Sequence, residues 1–417
     1  MASSKKTKSE QDKQEEKELA KNLVGGAIRK TNRPKNVREL GTTALKNLPA
    51  TISMVQGFMK VVNWKQAQEE VLRGLNNTIV IVGLPNSGKS TLFNKIKGEN
   101  LSPVSAQAGT TRELMKTNFG PFTLIDTPGH IPELMHSGMD QASVIVFLID
   151  ASKGFQLKDR ELYDAIKKMK KPTIIALNKV DTLKGGESGD QMATEVAVLL
   201  GEPGVIPISA RTGQNIAEEL IPAIIEASPE AALVIGRELP AYRRDAAQRI
   251  IRNATLVSLA AGLEPIPLVD IPILLGTQIR LVLRLAALYG EPLSTTEAMK
   301  HARELITTII GGLGLRYLAE QAAKAVPFGG DFVAGVIAGA GTWAIGQVAL
   351  EYYEGGKQVN PRRLRQLYTD FYRRFRKEKT PEEWHKYALE GKDTPLRLEE
   401  LKGQVSQLPP GASPELA

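Results

Sequence analysis

The sequence predicts an α/β domain, with a mostly parallel sheet covered by helices on both faces, joined to a C-terminal all-helical domain. Three observations carry that expectation. Between Asn77 and Ala227 short β-branched runs alternate with helical patterns, as strands buried on both faces and their crossover helices require. A glycine-bearing octapeptide follows the first of those runs directly. After Pro229 the β signal stops, and stretches rich in Leu, Ala, Ile and Gly continue to Gly356. The 417 residues are too many for one core at the usual domain size. With 42% hydrophobic and 24% charged residues the chain is globular, not disordered throughout. The absence of cysteine excludes disulfide frameworks, thiolate zinc sites, iron–sulfur clusters and cysteine nucleophiles. Four histidines leave little for a histidine-rich metal site. The net charge of +8 favours anionic partners only where it is clustered.

In chain order, the first 21 residues hold six lysines and five acids with almost nothing apolar. Such a stretch cannot bury enough surface to offset the cost of ordering it, so 1–35 is expected to be a disordered charged tail. It lacks the apolar core of a secretory signal, and its acids argue against an organelle transit peptide. From 36 to 75, apolar residues from Leu40 to Leu72 recur at three- and four-residue intervals, predicting an amphipathic helical segment interrupted at Pro49 and Asn63. Residues 76–228 then carry five predicted strands: Thr78–Val82, Phe122–Ile125, Ser143–Ile149, Thr173–Leu177 and Val205–Ile208. The helical domain is expected over 229–402, broken by several prolines, with a flexible tail over 403–417.

The first strand runs straight into Gly83-Leu-Pro-Asn-Ser-Gly-Lys-Ser90, which fits the G-x-x-x-x-G-K-[ST] phosphate loop in its strand–loop–helix setting. Gly83 and Gly88 let backbone N–H groups, including those around Ser87, turn toward oxygen anions, and the following helix adds its positive N-terminal dipole. Lys89 is expected on the β- and γ-phosphates, Ser90 on Mg²⁺ and Thr91 on the α-phosphate. The second strand delivers Asp126-Thr-Pro-Gly129 at its carboxyl end, where open α/β sheets bind ligands. Asp126 can hold magnesium through water, and the Gly129 amide can meet the γ-phosphate, so this segment can sense that phosphate. Two later strands end in Asn178-Lys179-Val-Asp181 and Ser209-Ala210. A carboxylate at Asp181 accepts hydrogen bonds from the guanine N1–H and exocyclic amine, which adenine cannot offer, so the pattern selects GTP over ATP.

With those motifs in place, Asn77–Ala227 resembles the Era and TrmE-like branch of the translation-factor-related P-loop GTPases, over about a third of the chain. The resemblance implies slow hydrolysis of GTP to GDP and phosphate. It gives Thr111, in Gly109-Thr-Thr-Arg112, the role of closing on magnesium and the γ-phosphate, with Thr110 as the neighbouring alternative. Asn86 matches an asparagine that in several relatives helps coordinate K⁺ in place of an arginine finger; a loop-stabilising amide is the other reading. Ala210 would give its N–H to the guanine oxygen while Ser209 supports Asp181. His130, directly after Gly129, stands where many GTPases keep the residue that orients the attacking water. Many Era-like relatives carry an apolar residue there, so this is a departure.

In the helical domain, Phe332–Leu350 is nineteen residues without a charge, close to the ~20 needed to cross a bilayer, with Gly335 and Gly339 at a helix-contact spacing. Its four glycines, Thr342 and Gln347 suit a buried helix of a bundle equally. Residues 362–379 carry eight cations and two acids, a net +6, with Tyr368, Phe371, Tyr372 and Phe375 interleaved. That pattern fits an anionic membrane surface, RNA phosphates and bases, or a solvated face whose aromatics pack inward. Tyr242–Arg249, Pro265–Asp270 and Arg284–Gly290 resemble the helical domain of YcjF-like inner-membrane proteins, which implies membrane association and brings no catalytic residue. The expectation is a GTP-driven switch acting at the cytoplasmic side of a membrane, or otherwise in the cytoplasm. An RNA-associated assembly GTPase and a self-associating, homo-oligomeric scaffold timed by GTP are the alternatives.

Overall fold

The computed structural model describes residues 64–98, 116–119, 122–126, 142–183, 188–262, 270–311, 330–357 and 359–378. The expected tails and most of the amphipathic segment lie outside the described residues; of that segment, α1 (Trp64–Gly74) is helical. The chain divides into two compact units, one of Glu69–Ile250 with Arg284–Ser294, the other of Ile251–Leu283 and Thr295–Ala417 together with Met1–Gln68.

The first unit is built on a six-stranded sheet: β1 (Thr78–Gly83), β2 (Lys116–Phe119), β3 (Phe122–Asp126), β4 (Ala142–Asp150), β5 (Thr173–Asn178) and β6 (Ile206–Ile208). Their order is β2-β3-β1-β4-β5-β6. All neighbours are parallel except β2, which runs antiparallel to β3 at the edge. The five expected strands are present. β2 was not foreseen, because Lys116-Thr-Asn-Phe119 has no apolar run to announce it.

Alternate residues of each strand serve opposite faces. Val80, Val82, Phe147, Ile149, Ile175 and Leu177 form one core with Leu162, Tyr163 and Ile166 of α3 (Leu157–Lys168) and Ala193, Val196 and Leu200 of α4 (Gly189–Leu200). The other face is covered by α2 (Lys89–Gly98) against β1 and β3, by α5 (Ile221–Ala227) against β5, and by α6 (Pro229–Glu238) against β1 and β4. Helix α6 starts where it does because Ser228 caps it, its hydroxyl accepting from the N–H of Glu230 (3.1 Å) and Ala231 (3.2 Å), with Pro229 at the first helical position. Leu233, Val234 and Ile235 are buried there.

The second unit is helical in its described residues. It holds Ile251–Gly262 of α7 (Arg243–Gly262), the first part of α8 (Asp270–Leu288), α9 (Thr296–Gly311), α10 (Gly330–Glu354) and α11 (Pro361–Glu378). Ala338, Ala340, Ala344, Ile345, Val348 and Leu350 of α10 are all buried, and a helix apolar on every side belongs at the centre of a bundle. Its small residues admit neighbours closely. A Cβ on Gly346 would lie 2.8 Å from side-chain carbons of Ile251 and 3.2 Å from Leu281. The polar groups of this core satisfy one another: Thr342 donates to the Ser258 hydroxyl at 2.7 Å and accepts from the Gln278 amide at 3.2 Å. Among the described residues, no helix is long and apolar enough to cross a membrane.

Helix α11 packs on α10 and α9. Leu364, Tyr368, Tyr372 and Phe375 are buried along one side, and Trp343 of α10 meets Phe371 edge-on at 5.8 Å and Phe375 at 5.3 Å. Arg362, Arg363, Arg365, Arg373 and Arg374 are exposed. The aromatics are therefore not interleaved with the cations on one contact surface; the helical period separates the two sets, sending the rings into the bundle.

Candidate nucleotide-binding site

The site grows from the carboxyl ends of β1, β4 and β5. Gly83 closes β1 because an added Cβ would collide with the Leu148 carbonyl oxygen of β4. Gly88 holds φ +96°, and a Cβ there would run into the Asn178 amide. Between them Asn86 stands in the left-handed region at φ 67°. The resulting loop carries Lys89 back over itself: the buried ammonium donates to the carbonyls of Gly83 (2.8 Å) and Leu84 (2.9 Å). Ser90 and Thr91 are exposed in the first turn of α2, at the positive end of its dipole.

Asn178, at the end of β5, is a buried link between loops. Its Nδ2 donates to the Ser87 carbonyl at 2.8 Å, and its Oδ1 accepts from the Ala210 N–H at 2.8 Å. The Ala210 N–H, expected to face a base oxygen, is thus engaged by Asn178 in this structure. Lys179 adopts φ 70° and donates from Nζ to Asp150 Oδ2 at 2.7 Å. Asp181 Oδ1 accepts from the Ser209 hydroxyl at 2.6 Å, and Arg211 forms an ion pair with Oδ2. Burial pushes the Asp181 carboxyl up, but the Ser209 hydrogen bond and the Arg211 charge outweigh it and hold the group below its ordinary value. Asp150 is lowered in the same way: burial opposes, while Lys179 and Ser152 prevail.

The structure thus brings together Gly83, Asn86, Ser87, Gly88, Lys89, Ser90, Thr91, Asn178, Lys179, Asp181, Ser209 and Ala210. Asp126 ends β3 in register with Gly83, with its side chain outside the described residues. Thr111, Gly129 and His130 also lie outside the described residues. Asp150 and Arg211 were missed in the sequence. An acid closing the strand next to β5 was the available signal for Asp150; Arg211 offered only its adjacency to Ser209-Ala210.

These residues fit a phosphate-bearing ligand. The Ser87 hydroxyl is buried without a hydrogen-bond partner among the described residues, inside a loop that tolerates no Cβ at either glycine. Among the described residues no group of three or more His, Asp or Glu could hold a metal ion by itself. A magnesium here would rest on the Ser90 hydroxyl, Asp126 and the phosphates themselves, as that ion commonly does.

Comparison with known proteins agrees with this geometry. The family described as "50S ribosome-binding GTPase" matches residues 78–179, and "Domain of unknown function (DUF697)" matches residues 228–377. The chain is similar to GTPase Era of Aquifex aeolicus (strain VF5), 33% identical over 171 residues, which is 36% of this chain and 56% of that protein. It is also similar to GTPase Der of Alkaliphilus oremlandii (strain OhILAs), 37% identical over 168 residues, 36% of this chain and 37% of that protein. Among solved structures, one described as a probable GTP-binding protein engB is 25% identical with a TM-score of 0.26, over 36% of this chain and 97% of that one. The match thus spans about half or less of these two curated relatives. The chain carries an Era-like P-loop GTPase domain followed by a DUF697 domain.

Proposed function

We propose that the chain binds guanine nucleotides at this site and slowly hydrolyses GTP to GDP and phosphate. The Asn178 link carries the reading, because one buried amide holds the phosphate loop at Ser87 and the Ser209-Ala210 loop at once, beside an ionised Asp181. Asp181 accepts from the guanine N1–H and amine. Lys89 exchanges loop carbonyls for the more strongly accepting β- and γ-phosphate oxygens, and stabilises the charge that spreads over the γ-phosphoryl group during transfer. Magnesium, when bound, neutralises phosphate charge. Thr111 closes on the γ-phosphate, His130 orients the attacking water, and Asn86 helps hold K⁺; these three assignments rest on the resemblance. Calorimetric titration tests the binding. GDP and GTP should bind and ATP should not, and Lys89→Ala should abolish binding; equal uptake of both purines would overturn the proposal. His130→Ala should slow turnover while leaving GDP affinity unchanged.

We further propose that the output is exerted at the cytoplasmic face of an anionic membrane, through the cations of α11. The observation favouring it is the one-sided exposure of Arg362, Arg363, Arg365 and Arg373, while the rings that could stack on bases are buried. The description of the matched family as ribosome-binding supports the RNA reading, and self-association remains the third. Flotation with anionic liposomes, lost at high salt, supports the membrane; co-sedimentation with ribosomes and not lipid would replace it.

A further inference from the structure

The base-recognition loop has an unassigned partner on the neighbouring strand. Asp150 closes β4 and stands opposite Asn178 in the β4–β5 register. Its carboxylate is buried and does two things. Oδ1 accepts from the Ser152 N–H (3.0 Å) and hydroxyl (2.6 Å), capping a short turn, while Oδ2 accepts from the Lys179 ammonium at 2.7 Å. Lys153 approaches the same Oδ2 only to 3.9 Å.

Lys179 is an unusual residue to fix. Its backbone is left-handed at φ 70°, a region that costs a residue with a Cβ roughly 1–2 kcal/mol. Its carbonyl accepts from the Thr182 N–H (2.9 Å) and hydroxyl (2.7 Å), so the main chain is pinned immediately downstream. Its stem passes across the phosphate loop, with Cε 4.0 Å from where a Gly88 Cβ would stand. A lysine stem has several rotatable bonds, and holding it there requires something at its end. Asp150 is that anchor.

We propose that Asp150 is a positioning residue for guanine-nucleotide binding: through its ion pair with Lys179 it holds the lysine stem across the phosphate loop, in the shape that receives the base. This inference rests on the guanine-nucleotide reading above. Asp150 does not itself touch the ligand. It acts through Lys179, so the two side chains form one unit and their losses must not multiply.

The test is a double-mutant cycle on the full chain, with GDP affinity read by calorimetry and folding by thermal unfolding. Asp150→Asn keeps an oxygen for the Ser152 cap and removes the charge. It should weaken GDP binding about tenfold, as loss of a charged hydrogen bond implies. Lys179→Ala should cost a similar factor, and the double variant should bind within about twofold of the weaker single one. Ser152→Ala leaves the backbone N–H on Oδ1 and the Asp150–Lys179 ion pair in place, and should cost clearly less affinity than Asp150→Asn. Wild-type affinity retained in Asp150→Asn, multiplying losses in the double variant, or an equal loss in Ser152→Ala would each overturn the inference. Should Asp150→Asn fail to fold, Asp150→Glu, which keeps the charge but displaces it by one methylene, takes its place under the same criteria. Wild-type chain in the same titration separates the two readings. No GDP uptake by it refutes guanine binding; normal uptake with an indifferent Asp150 refutes only this assignment.

Discussion

Gly88→Ala puts the central link of the site under direct test. Two costs follow from the geometry. The alanine must hold φ +96°, which costs roughly 1–2 kcal/mol in the folded state whether or not ligand is bound. Its Cβ also occupies the place of the Asn178 amide nitrogen, so Asn178 must swing away and lose its bonds to the Ser87 carbonyl and the Ala210 N–H, both 2.8 Å. At about 1 kcal/mol each, that displacement removes about 2 kcal/mol of organisation from the two loops that must receive the nucleotide, or about 30-fold in affinity. Gly201→Ala is the matching control. Gly201 holds φ +70° with nothing within 4 Å of an added Cβ, so it carries the backbone strain alone. Fluorescent GDP titration of both variants, beside thermal unfolding, should find both destabilised and only Gly88→Ala deficient in binding. GDP affinity within threefold of wild type for Gly88→Ala, or equal losses in the two variants, would refute the reasoning.

Three further expectations follow from the same structure. Asp181→Asn replaces one acceptor oxygen with a donor, so GDP should weaken by about 100-fold while xanthosine diphosphate, which carries an oxygen where guanine has its amine, should gain; competition titration checks this. Asp150 and Asp181 both lie below the ordinary value of 3.8 when folded, so their stabilisation is present above that pH and is lost as pH falls through their folded values. Unfolding midpoints should therefore show no loss from these groups between pH 7 and pH 5 and a fall below about 3.8, with Asp181→Asn flattening that acid limb. In the helical unit, Gly346→Val should lower stability by about 1–3 kcal/mol through collision with Ile251 and Leu281, read by denaturant unfolding.

Much of the sheet unit was legible because its signals are local. Five strands announced themselves as apolar β-branched runs, and the phosphate loop as a fixed spacing of glycine and lysine. What escaped has a common cause. The edge strand Lys116–Phe119 is recognisable only by pairing with β3, and Asp150 and Arg211 only by what their side chains reach across the fold. Helix α11 shows the opposite failing: a list of cations and aromatics in order conceals which of them share a side. Placing them required knowing that α10 lies beneath. The roles given to Thr111, Gly129 and His130 lie on residues outside those described.

A helix with no hydrophilic side, such as α10, cannot be offered to a lipid phase one flank at a time. To reach hydrocarbon it would have to leave its neighbours, surrendering the Ser258–Thr342–Gln278 chain and opening the seams that Gly346 keeps tight. Deep insertion of this segment would thus entail a refolded bundle, with protease-sensitive and spectroscopic differences between the two forms. Attachment by the arginine flank of α11 would require no such rearrangement.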